Sequence, residues 1–321
     1  MTDSNIDKKE EGNFGSENFK EWLKTCVPLT AIQVKKLALE KEYEHENDRY
    51  IYFDEGPHKY YIWDQKEDAP VVDPISITTL IKNYHQEFDD DSVIDINYDK
   101  WQAQPENKYY GKSKEQIKQG WKDSNNKSSR QGTQLHKRIE LFYNGIDYQT
   151  YLKSEDATED EKRDGKDEKE KNVEWSYFEN FHKEIPSKNK WFSFRTEWRI
   201  YCPKVGICGT IDKIYIPSMA KPSEIIIYDW KRSKKIDMTN RYKRMASPLQ
   251  DLEDCNYIHY SLQLNSYKKL LEKCYDVKVI AMFLCICHPD NDDYKTYEIS
   301  SKYGAHVDKI FAHHEASKKK K

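Results

Sequence analysis

No Cys-x-x-Cys pair occurs in the 321 residues, and the seven cysteines fall at spacings that build no four-ligand zinc or iron–sulfur site. Cys202 and Cys208 are six apart, while Cys285 and Cys287 lie in an apolar stretch just before His288. An odd cysteine count without a leader-like segment points to a reducing interior, cytosol or nucleus, and against a disulfide-stapled secreted domain. No apolar run approaches the ~20 residues needed to cross a bilayer, so no membrane partner is expected. An excess of one charge is also missing: 53 Lys and Arg face 56 Asp and Glu, a net charge of −3. The chain as a whole therefore lacks the basic balance of a general nucleic-acid binder, although that total hides local asymmetry. Arginine is scarce, nine against 44 lysines.

Charge and aromatic bulk are abundant: 34% of residues are charged and mean hydropathy is −1.03, yet 24 Tyr and 8 Trp supply material for a core. The length allows one large domain or two smaller ones. Acidic residues collect between Ser154 and Lys171, a segment with almost no apolar residue and no usable period. Residues 153–172 are accordingly expected to be a flexible insertion. A basic cluster follows later, with Arg232, Lys234, Lys235, Arg241, Lys243 and Arg244 close together. Such a cluster can hold phosphates. Residues 1–16 are expected to be disordered, 18–26 and 29–43 helical, and 49–53 with 59–63 a β-hairpin across Gly56 and Pro57. Residues 75–80 start a strand or helix, and 113–121 form a short helix capped by Ser113. Residues 17–125 thus read as a helical and hairpin wall before a core at 126–315, with a basic tail at 316–321.

The core carries the chemistry. Residues 224–231, Glu-Ile-Ile-Ile-Tyr-Asp-Trp-Lys, read as a β-branched strand ending in charge, on which Asp229 and Lys231 share a face. Asp212, in Gly209-Thr210-Ile211-Asp212, lies 17 residues upstream, room for a strand, a turn through Pro217 and Pro222 and a return. A hairpin-like return would bring both carboxylates together beside an ammonium, which suits metal-assisted phosphodiester cleavage. Upstream, Gly132 to Glu140 reads as the opening of an amphipathic helix with Leu135, Ile139 and Phe142 on one stripe and His136 and Glu140 on another face. Downstream, residues 257–274 read as a helix carrying Gln263 and Tyr267. Strands are expected at 191–201, 205–216, 224–231 and 277–288. Taken singly, each pair has a bland reading as a solvated helix face or a surface ion pair.

Together, G-x-x-x-H-x-x-x-E, G-T-I-D, D-x-K and Q-x-x-x-Y, in that order over residues 130–290, resemble the PD-(D/E)XK nuclease superfamily, in the branch of the RecB nuclease domain and lambda exonuclease. Residues 53–121 are also similar to the front half of RecB-like nucleases of phages and large DNA viruses. Asp229 departs from the Glu frequent at that position but keeps the charge. The spaced C-terminal cysteine triplet of iron–sulfur relatives is absent. The resemblance implies an α/β restriction-endonuclease-like core, a mixed central sheet flanked by helices. It implies Mg²⁺ or Mn²⁺ held by His136, Asp212, Asp229 and the Trp230 carbonyl, with Glu197 a further candidate nearby. Lys231 would position or activate the attacking water, with Glu140, Gln263 and Tyr267 in support. The activity implied is a DNA nuclease, an exonuclease of recombination, repair or replication; an RNA or DNA endonuclease and a non-cleaving binding module are the alternatives.

Overall fold

The computed structural model describes residues 14–27, 36–166 and 173–319. The disorder expected over 1–13, part of the helix expected at 29–43, residues 167–172 of the acidic insertion and the last two lysines lie outside the described residues. Phe14 does not share the disorder expected of residues 1–16: its ring meets Phe19 edge-on at 5.1 Å. Helix α1 (Glu17–Cys26) starts at Ser16, whose hydroxyl accepts from the Phe19 amide. Its buried Phe19 and Leu23 cover a small sheet of β1 (Ile51–Asp54), β2 (Lys59–Asp64) and β3 (Ala69–Pro70), packing on Tyr52, Tyr61 and Trp63. Within 36–43 only α2 (Ala38–Glu42) is helical.

β4 (Ile75–Ser76) runs into α3 (Ile77–Lys82), followed by α4 (Asp90–Gln102) and α5 (Lys114–Tyr143). The short helix expected at 113–121 and the one expected to open at Gly132 are a single 30-residue helix, capped by Ser113 and Gln116. No proline interrupts it, and a glycine in a helix costs only ~1 kcal/mol. Ile117 at one end and Leu135 and Ile139 at the other are buried and anchor it. The boundary expected at 125/126 thus falls inside a continuous helix. Next come α6 (Tyr148–Leu152), α7 (Glu159–Lys166), α8 (Val173–Glu184) and α9 (Pro186–Asn189). The first half of the acidic segment is therefore ordered. Tyr151 donates to the Glu161 carboxylate at 3.0 Å, the Thr158 amide does so at 2.7 Å, and Ala157 is buried.

The central sheet joins β5 (Phe192–Cys202), β6 (Ile207–Ile216), β7 (Glu224–Lys231), β8 (Lys278–Ile286) and β9 (Lys295–Glu298) to β4, with α10 (Asn256–Cys274) crossing between β7 and β8 and α11 (Gly304–Lys318) closing the chain. Pairing is mixed: β5–β6, β6–β7 and β8–β9 are antiparallel, β4–β6 and β7–β8 parallel. β7 is apolar at consecutive positions because both faces are covered. Ile225 and Ile227 join the cluster under α3, α10 and α11, while Ile226, Tyr228 and Trp230 meet Leu135, Ile139, Phe178 and Phe181 of α5 and α8. The chain is thus a mixed α/β fold with helices on both faces of the sheet.

Candidate metal centre and active site

The site opens where β6 and β7 part. Their ladder ends at Lys213↔Tyr228, and β4 pairs with β6 only at Ile207 and Cys208, so residues 209–212 lie in the fork between. There a side chain replaces the ladder: the Trp230 amide donates to Asp212 Oδ2 at 2.8 Å. The register places Glu197 of β5 opposite Asp212, since Thr196 pairs with Lys213 and Trp198 with Ile211. Glu197 has φ +44°, a left-handed conformation that a non-glycine residue holds only at a cost, of the kind found at functional sites.

His136 reaches the fork from α5. Its Nε2 lies 3.0 Å from the Trp230 carbonyl, which can only accept, so Nε2 carries the proton. Burial, with the Lys231 charge adding to it, lowers the His136 pKa to about 4, and the ring is neutral at pH 7. Nδ1 is then a lone pair, and it faces Asp212 Oδ2 at 3.5 Å and Glu197 Oε1 at 3.9 Å. Ligand atoms of the three residues lie within 4.8 Å of one another. Three acceptors converging on one point repel unless a cation stands between them or a carboxyl among them keeps its proton, and one nitrogen with carboxylate oxygens suits a divalent ion.

Asp229 and Lys231 project beside this cluster, their Oδ2 and Nζ 2.5 Å apart. Burial raises Asp229 to about 6, Asp212 adding to the effect and Lys231 opposing it. Burial also raises Asp212, and raises Glu197 well above the carboxylate range with the help of the Asp212 and Glu140 charges. For Lys231, burial favours the neutral amine, but the attraction of Asp229 and Asp212 outweighs it and keeps the ammonium protonated. Gln263 on α10 donates to Asp229 Oδ1 at 3.2 Å and to the Tyr267 hydroxyl at 2.9 Å. Gly209 explains why Tyr267 fits there: a Cβ at 209 would lie 2.8 Å from the Tyr267 ring.

Of the expected site residues, His136, Asp212, Asp229, Lys231, Gln263 and Tyr267 come together. The Trp230 carbonyl, expected as a ligand, accepts from His136, and Glu197 joins His136 and Asp212 as the third residue of a group that could hold a metal ion. Glu140 pairs with Lys137 at 2.9 Å and lines, with Glu197, a cavity walled by Arg195 and Arg199. Tyr260, not singled out from the sequence, stacks under the Lys231 ammonium at 5.3 Å. It lies three residues before Gln263, one turn along the same helix face.

The basic cluster divides. Arg232, expected on phosphates, is largely buried and bonds Glu174 at 2.7 Å, fastening α8 to the end of β7. Lys234 pairs with Asp290 and Lys235 with Asp237, both in solvent. Arg241 and Arg244 are exposed, Lys243 half-buried, around Tyr242, which is 97% exposed. The aromatic residues of the front part divide: Tyr60 is buried, Trp121 is half-buried against Tyr109 and Trp101, and Phe88, beside Trp121, is exposed. Among the described residues, no helix is long and apolar enough to cross a membrane.

No protein-family model matches the chain, and no curated protein matches it. Among solved structures, the one described as "Crystal structure of SSO0001" is similar at 20% identity, with a TM-score of 0.24. The likeness covers 45% of this chain and 57% of that one, so the chain spans a little over half of its length. A likeness of that size bears on neither fold nor function.

Proposed function

We propose that the protein is a Mg²⁺- or Mn²⁺-dependent nuclease with a restriction-endonuclease-like core, acting on DNA as an exonuclease. The observation that carries this reading is the neutral His136 Nδ1 turned toward Asp212 and Glu197 beside the Asp229–Lys231 pair. His136, Asp212 and Glu197 would hold the cation, and Asp229 is near enough in the fork to add its charge. A bound cation supplies Lewis-acid polarisation of the phosphodiester and a more acidic water. Lys231, protonated, places positive charge where the phosphorane gathers negative charge. Asp229, with its pKa near 6, suits accepting the proton of the attacking water. Gln263 holds that carboxylate in place, and Tyr267 holds Gln263. The sum is water added across one P–O bond, yielding a phosphate monoester and a free hydroxyl.

The test is digestion of linear and circular, single- and double-stranded DNA, and of RNA, with Mg²⁺, with Mn²⁺ and with chelator. Metal-dependent hydrolysis of DNA that disappears in Asp212→Asn and Asp229→Asn, both still folded, is the expected result. Hydrolysis that persists in either variant, or none with any substrate and metal, overturns the reading.

A further inference from the structure

Helix α5 continues beyond the ligand end that carries His136. All nine residues from Lys122 to Arg130 are exposed, so this stretch turns no face to a core. A stretch polar all round buries no apolar face of its own, and it is held helical only through the anchored ends of α5. Its composition works against it: Ser124, Asn125, Asn126, Ser128 and Ser129 are poor helix formers that compete for backbone hydrogen bonds. The charge is one-sided as well. Within the stretch Lys122, Lys127 and Arg130 stand against one acid, Asp123, and the next acidic residue along the helix is Glu140. In a chain with more acidic than basic residues, that stretch is set apart.

We infer that residues 122–130 of α5 are a docking rail for a nucleic-acid backbone, leading it to the fork at His136. The inference rests on the nuclease reading for what lies at the end of the rail. At ~1.5 Å per residue, Lys127 stands on the order of 14 Å along the axis from His136 and Lys122 on the order of 21 Å. With one phosphate per ~3.4 Å of each duplex strand, the distance from His136 back to Lys122 covers on the order of six phosphates, and the rail itself faces roughly the outer three or four of them. Short hydroxyl and amide side chains let a phosphate approach the helix closely and donate to it, while the lysines supply charge. Such contacts position the strand without reading its sequence.

The experiment measures binding of labelled single- and double-stranded oligonucleotides, 30 residues long, to Asp212→Asn protein over a range of KCl, beside hydrolysis by the wild type. Lys127→Gln and Lys122→Gln are introduced singly and together, since Gln keeps helix propensity and removes only charge. The expected result is weaker binding and a salt slope shallower by ~0.9 per lysine on duplex or ~0.7 on single strands. An unchanged slope in the double variant overturns the rail, and with intact wild-type hydrolysis it does so while leaving the nuclease standing. A reduced slope without hydrolysis supports the rail and removes the nuclease. Equal weakening of polyglutamate binding would show a generic polyanion surface and overturn the nucleic-acid assignment.

Discussion

At the scale of residues, the site is a group of carboxylates held together against their own repulsion. Asp212, Asp229 and Glu197 are all pushed up in pKa, with burial the leading cause in each, and Lys231 alone does not balance them. For Asp229 the folded value of about 6 exceeds the ordinary 3.8, so the folded protein holds that proton more tightly than the unfolded chain. Its contribution to stability is therefore present below pH ~4 and is lost as pH rises through about 6. A divalent cation competes for the same oxygens, so metal affinity should increase from pH 5 to pH 7. Isothermal titration with Mn²⁺ measures this, and a flat profile would contradict the assignment of the buried carboxylates. Glu197→Gln keeps the shape but deletes a charge, and should raise the Mn²⁺ concentration for half-maximal cleavage by roughly tenfold or more. The melting temperature of the metal-free variant should hold or rise, because burial and the Asp212 and Glu140 charges already disfavour an anion at this position and Gln is neutral. A Glu197→Gln enzyme with unaltered metal requirement would take Glu197 out of the ligand set.

At the scale of elements, Gly209 shows how β6 and α10 are coupled. An added Cβ would meet the Tyr267 ring at 2.8 Å and Ile77 Cδ1 at 3.5 Å, and Tyr267 is buried with its hydroxyl held by Gln263. Gly209→Ala should cost ~1–3 kcal/mol by overpacking and lower turnover further by shifting Gln263 from Asp229. A denaturation midpoint equal to wild type would show that the ring moves aside freely. Strand β7 was legible to the residue, since an apolar β-branched run ending in charge has one physical reading, and the Asp229–Lys231 face followed from alternation. The continuity of α5 was not: its middle has neither apolar period nor favourable propensity, and only its two anchored ends keep it helical. α7 was hidden for a similar reason. Its order rests on Glu161 accepting from Tyr151 and Thr158 and on the single buried Ala157, contacts with no periodicity. Glu197 was weakly visible because its role depends on registering β5 against β6, which no local pattern specifies. Arg232 misled because a basic run does not reveal which member finds an acidic partner in the fold.

At the scale of the whole molecule, the depth of the fork bears on which substrates can enter. Asp229 is fully buried and Asp212 is 9% exposed, so on the proposed reading a scissile phosphate would have to reach down into the fork to meet them. Bringing an internal phosphate of a duplex into a recess requires bending or kinking the duplex there, at a few kcal/mol for each base step that is unstacked. A strand end avoids most of that cost because terminal pairs have a stacking partner on one side only. Preference for an end then comes from this recess. Linear DNA should therefore be degraded, and a covalently closed circle of the same sequence should survive for many turnovers of the linear form. Linearising the circle at one site with a restriction enzyme should restore digestion at the full rate. A gapped circle, which offers ends without being linear, should be attacked from the gap. Nicking of closed circles at the rate of linear digestion would show that the fork accepts an uninterrupted strand, making the protein an endonuclease with the same metal centre.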